Sequence, residues 1–429
     1  EIHERLVGSE MCIRDSINNI IALIDHSEEL KARIQSRAEK LADSIVPLTL
    51  LTAGVLFLFT RNISKALSVL MVDYSCAIKL ATPISVISAM KEASARKIMI
   101  KGGKFMELFA RADTIVFDKT GTLTSACPQV TQIVPLSDCS REYILKTAAC
   151  LEEHFPHSVA RAVVRKALEE GLHHEEEHAE VEYIVAHGIS SRLHGKKVLV
   201  GSYHFLFEDE GILLTEEQRQ TIRSHARGKS NIFLAIGRRA IGMIGVSDPP
   251  RPEARETIAR LKRQGISSII MLTGDSESAA RAISRQLGIT EYRSQVLPED
   301  KARFIQQLKQ SGRTVCMVGD GINDSPALSC ADVSVSMKDS SDIAREVADI
   351  SLLSSSLSEL AVLRELSCAV LEKIERNYRF IVGFNTSLIL LGMFGLITPA
   401  LSAFLHNAST VYVSARSTRR CLPPVGTPQ

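Results

Sequence analysis

The chain has 429 residues, room for roughly three domains at about 150 residues each. Lys plus Arg number 51 and Asp plus Glu 49, a net charge of +2, so no bulk charge draws it toward nucleic acid or a strongly anionic partner. Apolar residues make up 45%, which excludes a disordered chain, and nine scattered cysteines without a CxxC pair exclude a disulfide framework and a zinc ribbon.

Residues 1–16 (EIHERLVGSEMCIRDS) lack the apolar core of a signal peptide. Like the tail 416–429 (RSTRRCLPPVGTPQ), they fit neither neighbour and read as non-native sequence. Residues 17–90 hold a helix-like stretch, Ile17–Leu41, and two apolar segments. Ser44–Thr60 carries no charge, and about Ile63–Met90 is interrupted only by Lys65, Asp73 and Lys79. The run Phe380–Ala415 is uncharged and too long for one bilayer crossing, and Thr398-Pro399 marks a turn between two. Four membrane spans are therefore expected, in keeping with a mean hydropathy of +0.07; a buried core helix is the alternative for the first. Lys91, Arg96, Lys97, Lys101 and Lys104 follow the second span, and Lys373, Arg376 and Arg379 precede the third. That basic bias places the region between them on the cytoplasmic side.

Between about 91 and 378, short apolar strands alternate with helices, the pattern of a parallel α/β sheet. Thr114–Asp118, Ser268–Asp275 and Thr314–Asp320 read as buried strands with polar residues at their C-terminal ends, where open α/β sheets bind ligands. Pro252–Arg263 and Pro298–Gln310 read as helices, each opening on proline and stopping at a glycine, Gly265 and Gly312. The strand ends deliver Asp118, Thr273, Asp320 and Asp324, with Lys301 opening a helix between them. This set suits phosphoryl transfer through an aspartyl intermediate. A carboxylate attacks the γ-phosphorus, other carboxylates hold Mg²⁺, and a hydroxyl and a lysine bind the transferred group.

The segments DKTGTLT (118–124), TGD (273–275), PEDK (298–301) and GDGINDSPAL (319–328), in this order, resemble the P-type ATPase signature set. The resemblance covers about residues 17–415 and narrows to the heavy-metal-transporting class. It implies a haloacid-dehalogenase-like, Rossmannoid P domain with an inserted α+β nucleotide-binding domain and about four transmembrane helices. The implied division is connector and two spans 17–90, P domain 91–128 and 241–375, nucleotide-binding domain 129–240, and two spans 376–415. The implied catalytic residues are Asp118, Lys119, Thr120, Thr273, Gly274, Asp275 and Lys301, and the cofactors are ATP and Mg²⁺. Mg²⁺ would be held by Asp118, Thr120, Asp320, Asn323 and Asp324. Related phosphatases carry an Asp two places after the nucleophile as general acid/base; Thr120 stands there, so an acyl phosphate on Asp118 is expected to persist.

Glu152–Ala160 resembles the family's His-Pro segment, with His157 implied against adenine and Ser158 in place of the usual proline. Ala186-His-Gly188 stands where the family has Gly-x-Gly, and Gly201 matches the later glycine. The family's ion site falls in the second span, where Tyr74-Ser75-Cys76 replaces Cys-Pro-Cys and Pro83 remains. The expected transported-ion set is Asp73, Ser75, Cys76, Asn385, His406, Asn407 and Ser409. Asp73 is expected on a helical face near Cys76, with interfacial snorkelling the alternative for it and for Lys79; an inert buried thiol is the alternative for Cys76. One thiolate with oxygen and imidazole donors argues against Cu(I) and for Zn, Cd, Co, Mn or Fe.

No TGE tripeptide of the family's actuator domain occurs in the sequence. The chain therefore reads as the C-terminal part of a pump, in the plasma membrane of a prokaryote by family expectation, able to bind ATP but not to cycle alone. The rivals are a membrane-tethered phosphatase, a fragment that only binds nucleotide, and a zinc protease on His174-Glu-Glu-Glu-His178. The polar flanks of that last motif favour a solvated segment. Asp248 and Arg251 (DPPRPEA) match a further family segment, with Asp248 either a hinge or phosphate-site support or a plain helix cap.

Overall fold

The computed structural model describes residues 33–125, 127–153, 158–172, 182–184, 188–193, 195–226, 230–275, 277–320, 324–338 and 340–423. The segments 1–16 and 424–429, His157, His174–His178 and Asn323 lie outside these residues.

Three helices open the described chain: α1 (Arg33–Thr60), α2 (Ile63–Leu70) and α3 (Ser75–Ala95). The second expected span is thus two helices with a break at residues 71–74. No proline makes this break. The Asp73 carboxylate accepts the amides of Ser75 (2.9 Å) and Cys76 (3.2 Å), so it satisfies donors that the start of α3 leaves open. Asp73 therefore lies before the helix and not on its face.

The chain then enters the P domain through β1 (Ile98–Ile100), α4 (Gly103–Arg111) and β2 (Thr114–Asp118). After the wide turn Lys119–Leu123 it leaves for the insert: β3 (Gln129–Pro135), α5 (Arg141–Glu152), α6 (Ser158–Glu169), β4 (Glu182–Ile184), β5 (Gly188–Leu193), β6 (Lys196–Gly201), α7 (Glu216–His225), β7 (Ser230–Ile236) and β8 (Arg239–Ser247). These strands form one six-stranded sheet in the order β3-β8-β7-β6-β5-β4, antiparallel throughout. Ile144, Leu145 and Ala148 of α5 and Val163 of α6 pack on one face with Ile189, Val200 and Ile244. Phe205, Leu206 and Ile222 cover the other with Leu199, Phe233 and Met243.

The return to the P domain brings α8 (Ala254–Arg263), β9 (Ser268–Leu272), α9 (Glu277–Leu287), β10 (Glu291–Arg293), α10 (Pro298–Gln310), β11 (Val315–Gly319), α11 (Ser325–Cys330), β12 (Val333–Ser336), α12 (Asp342–Val347) and β13 (Ile350–Leu352). The seven-stranded sheet runs β1-β13-β12-β11-β2-β9-β10 and is parallel except for β1. Strands β2, β9 and β11 are buried along their whole length, which is why they read as continuous apolar runs. All three end on the same side of the sheet, and that edge carries the candidate site.

Two helices close the fold. The 37-residue α13 (Ser358–Phe394) runs unbroken from the P domain and stops at Gly395, whose φ of 74° is left-handed. Thr398 then caps α14 (Pro399–Ser417), with Pro399 in its first turn. Among the described residues only Ile63–Ala95 is, by length and composition, apolar enough to cross a membrane, and Val46–Thr60 is a shorter apolar helix. The basic residues Lys373, Arg376 and Arg379 and the polar Ser402, His406 and Asn407 explain why α13 and α14 fall short of that measure.

Candidate active site

Asp118 closes β2, inside the sheet between β11 and β9, and is buried. Lys301, in the first turn of α10, donates to Asp118 Oδ1 at 2.5 Å and to Asp324 Oδ1 at 2.7 Å. Oxygens of Asp118, Asp320 and Asp324 lie within 4.8 Å of one another. Burial, then the neighbouring Asp324 charge, pushes the Asp118 carboxyl up to about 6 against the pull of Lys301. Burial with Asp118 and Asp324 pushes Asp320 up to about 7. Desolvation alone would depress the Lys301 ammonium, but the two carboxylates raise it on balance.

The turn after Asp118 depends on Gly121. Its φ is 73°, and a Cβ there would lie 1.4 Å from Asp320 Oδ2. Lys119 is paired with Asp275 of the 273–275 loop. Thr273 is buried, and its hydroxyl accepts the Asp275 amide at 3.1 Å. That local turn ends β9 at Leu272, short of the expected Asp275. Gly274 and Thr120 are exposed.

The sequence assigns Arg251 no role, yet it holds this turn. The guanidinium of the buried Arg251 donates to the carbonyls of Gly121 (2.8 Å) and Thr122 (2.9 Å), while its own amide donates to Leu123 O (2.8 Å). Thr124 Oγ1 donates to Asp248 Oδ2 at 2.5 Å, so Asp248 supports the loop and does not cap α8. Because Arg251 is held this way, α8 starts at Ala254 and not at Pro252.

In the insert, Gly188 and Gly201 pair directly across β5 and β6. A Cβ at Gly188 would meet Val200 O at 2.4 Å and Phe205 at 2.6 Å, so packing inside the insert already requires glycine there. Glu152, which the motifs did not single out as a site, ends α5 as a buried carboxylate that desolvation pushes up to about 7.

A haloacid dehalogenase-like hydrolase family model matches residues 112–332. A zinc-exporting P-type ATPase of Mycobacterium marinum is 35% identical over 407 residues, 94% of this chain and 55% of that protein. A manganese-exporting P-type ATPase of Mycobacterium leprae is 34% identical over 406 residues, 94% of this chain and 56% of that protein. The crystal structure of a zinc-transporting PIB-type ATPase in its E2·Pi state superimposes with a TM-score of 0.76 at 29% identity, covering 94% of this chain and 67% of that one. The chain belongs to the heavy-metal P-type ATPases. It spans about half the length of the curated relatives it matches.

In this P-type ATPase chain the residues expected around a transported ion divide into two groups. Asn385, fully buried on α13, donates to the Asp73 carbonyl at 3.1 Å, and the buried His406 of α14 lies with Nδ1 3.5 Å from Asn385 Oδ1. Ser75 is buried beside them, and Tyr74 joins α13 through Thr386 at 2.9 Å. Cys76 and Asn407 are exposed, and Ser409 donates to His406 O at 2.8 Å. The break before α3, α13 and α14 thus meet at Asp73, Asn385 and His406.

Proposed function

We propose that this chain carries the phosphorylation machinery, and part of the ion path, of a pump that moves a divalent transition-metal cation across a membrane. The observation that carries the proposal is the buried Asp118 facing Lys301, Asp320 and Asp324 with a threonine, not an acid, two places on. In the reaction an Asp118 oxygen attacks the γ-phosphorus of ATP. The new O–P bond forms as the bond to the β,γ-bridging oxygen breaks, and ADP leaves. Lys301, Thr273 and Lys119 are placed to hold the oxygens of the transferred group, Lys119 once it exchanges its Asp275 partner for phosphate. Three clustered carboxylates, of which Asp118 and Asp320 keep raised proton affinities despite Lys301, form a site short of positive charge, which fits a resident Mg²⁺. Asp118, Asp320 and Asp324, with Thr120 and Asn323, would hold that ion, which neutralises phosphate oxygens when bound.

The insert supplies ATP binding in this reading, through His157 and the neighbourhood of Gly188, Gly201 and Glu152. The large exposed apolar side chains of α1 to α3, of the end of α13 and of α14, among them Leu51, Phe59, Ile87, Phe394, Phe404 and Val411, support four lipid-facing spans, the second made of α2 and α3, with the P domain and insert cytoplasmic. The donors Asp73, Asn385 and His406 are harder than a pair of thiolates and support Zn, Cd, Co, Mn or Fe over Cu(I). Thr120 is what distinguishes a pump from a phosphatase here. Thr120→Asp should shorten the lifetime of the phosphorylated chain by about 100-fold by restoring a general base. A wild-type acyl phosphate that already hydrolyses as fast as the variant's would favour the phosphatase.

A further inference from the structure

One turn of the P domain touches both the phosphorylation loop and the long helix α13. Arg251 holds the carbonyls of Gly121 and Thr122 with Nη2 and Nε. Its remaining nitrogen, Nη1, donates at 2.6 Å to the carbonyl of Ser355, three residues before α13 begins. Two residues on, Glu253 Oε1 accepts the amide of Leu357 at 3.1 Å. Leu357 is the N-cap residue of α13, and its own side chain makes no capping bond; Glu253 takes its amide, beside Ser356 Oγ, which accepts the Ser358 amide at 3.3 Å. Arg251 and Glu253 cannot move independently, because the Ala254 amide closes their turn on the Arg251 carbonyl at 3.0 Å. Farther along, Arg260 of α8 reaches Glu365 of α13 at 2.5 Å.

At about 1.5 Å per residue, α13 carries a displacement of its first turn some 40 Å to Asn385. There the Asn385 amide donates to the Asp73 carbonyl in the break between α2 and α3. Between the catalytic turn and that carbonyl lie one guanidinium, one carboxylate and one unbroken helix.

We propose that Arg251 and Glu253 form a strap that transmits the chemical state of Asp118 to the Asp73–Asn385 end of α13. They are positioning residues and touch no reacting atom, and the inference rests on the phosphorylation reading above. An acyl phosphate on Asp118 changes the charge beside Gly121 and Thr122; Arg251 passes the resulting shift of their carbonyls to Ser355, and Glu253 keeps the first turn of α13 in step.

The chain contains no tryptophan, so Phe384→Trp, next to Asn385, gives a single reporter in the full chain reconstituted in lipid nanodiscs. Beryllium fluoride with Mg²⁺ serves as the acyl-phosphate mimic, its binding read by calorimetry and its transmitted effect by tryptophan emission at saturation. The reporter chain should bind the mimic and change its emission. Glu253→Gln, which touches only the α13 side of the strap, should bind with the same affinity yet lose about half or more of the emission change. Arg251→Lys keeps the charge but not the three-way fork; it should lose most of the change at saturation, with affinity reduced only a few-fold. A thermal melt confirms that each variant is folded, and Glu253→Gln decides the matter if Arg251→Lys is not. Full-amplitude changes in Glu253→Gln, or mimic binding that leaves the reporter chain's emission unmoved, would overturn the strap. Absence of mimic binding in the reporter chain would overturn the phosphorylation reading and the strap with it.

Discussion

Lys301 shows how one side chain shapes the site. Two carboxylates, on Asp118 and Asp324, share its ammonium in a buried setting, and removing one partner from such a group leaves uncompensated charge. The type and position of each of these residues were legible in the sequence, because strand ends followed by glycine turns bring acids together. The support around them was not. Arg251 acts on carbonyls, which carry no side-chain signature, and Glu152 is marked only by its burial. Glu152 also has a measurable consequence for stability. Its folded-state pKa is raised to about 7 by desolvation, so the folded insert binds a proton that the unfolded chain releases near the ordinary glutamate value. This contribution is fully present below about 4.5 and is lost as pH rises through about 7, a difference of about 3 kcal/mol. Glu152→Gln should therefore flatten the stability profile and raise stability at pH 8, measured by urea unfolding across pH. An unchanged profile would show that the carboxylate is not desolvated in the folded insert.

At the scale of elements, Pro298 and Gly312 bracket α10 where the sequence signals place it, and the apolar runs give β2, β9 and β11 with ends that differ by a few residues at most. The second apolar stretch is different. Its sequence lacks the helix-breaking proline of Cys-Pro-Cys and reads as one span, yet the helix breaks at 71–74 because the Asp73 carboxylate captures the first amides of α3. A capping aspartate inside an apolar run is easily taken for a charge on a helix face. Asp73→Ala should remove this cap at a cost of about 1 kcal/mol, seen as faster hydrogen exchange of the Ser75 and Cys76 amides while β2 stays protected. Unchanged exchange would mean that Asn385, by holding the Asp73 carbonyl, suffices to keep the break.

At the scale of the molecule, α13 joins the proposed phosphorylation site to the proposed ion path, running from the P domain to Asn385 beside the Asp73 carbonyl. Of the four expected spans, only Ile63–Ala95 is long and apolar enough to cross a membrane among the described residues. The central claim is that Asp118 accepts the γ-phosphate of ATP. Its most direct test is labelling of the purified chain with γ-³²P-ATP and Mg²⁺, comparing wild type with Asp118→Asn. An acid-stable label that hydroxylamine removes, present in wild type and absent in the variant, is the predicted result. A label that survives Asp118→Asn, or a folded, ATP-binding wild-type chain that takes up none, would contradict it.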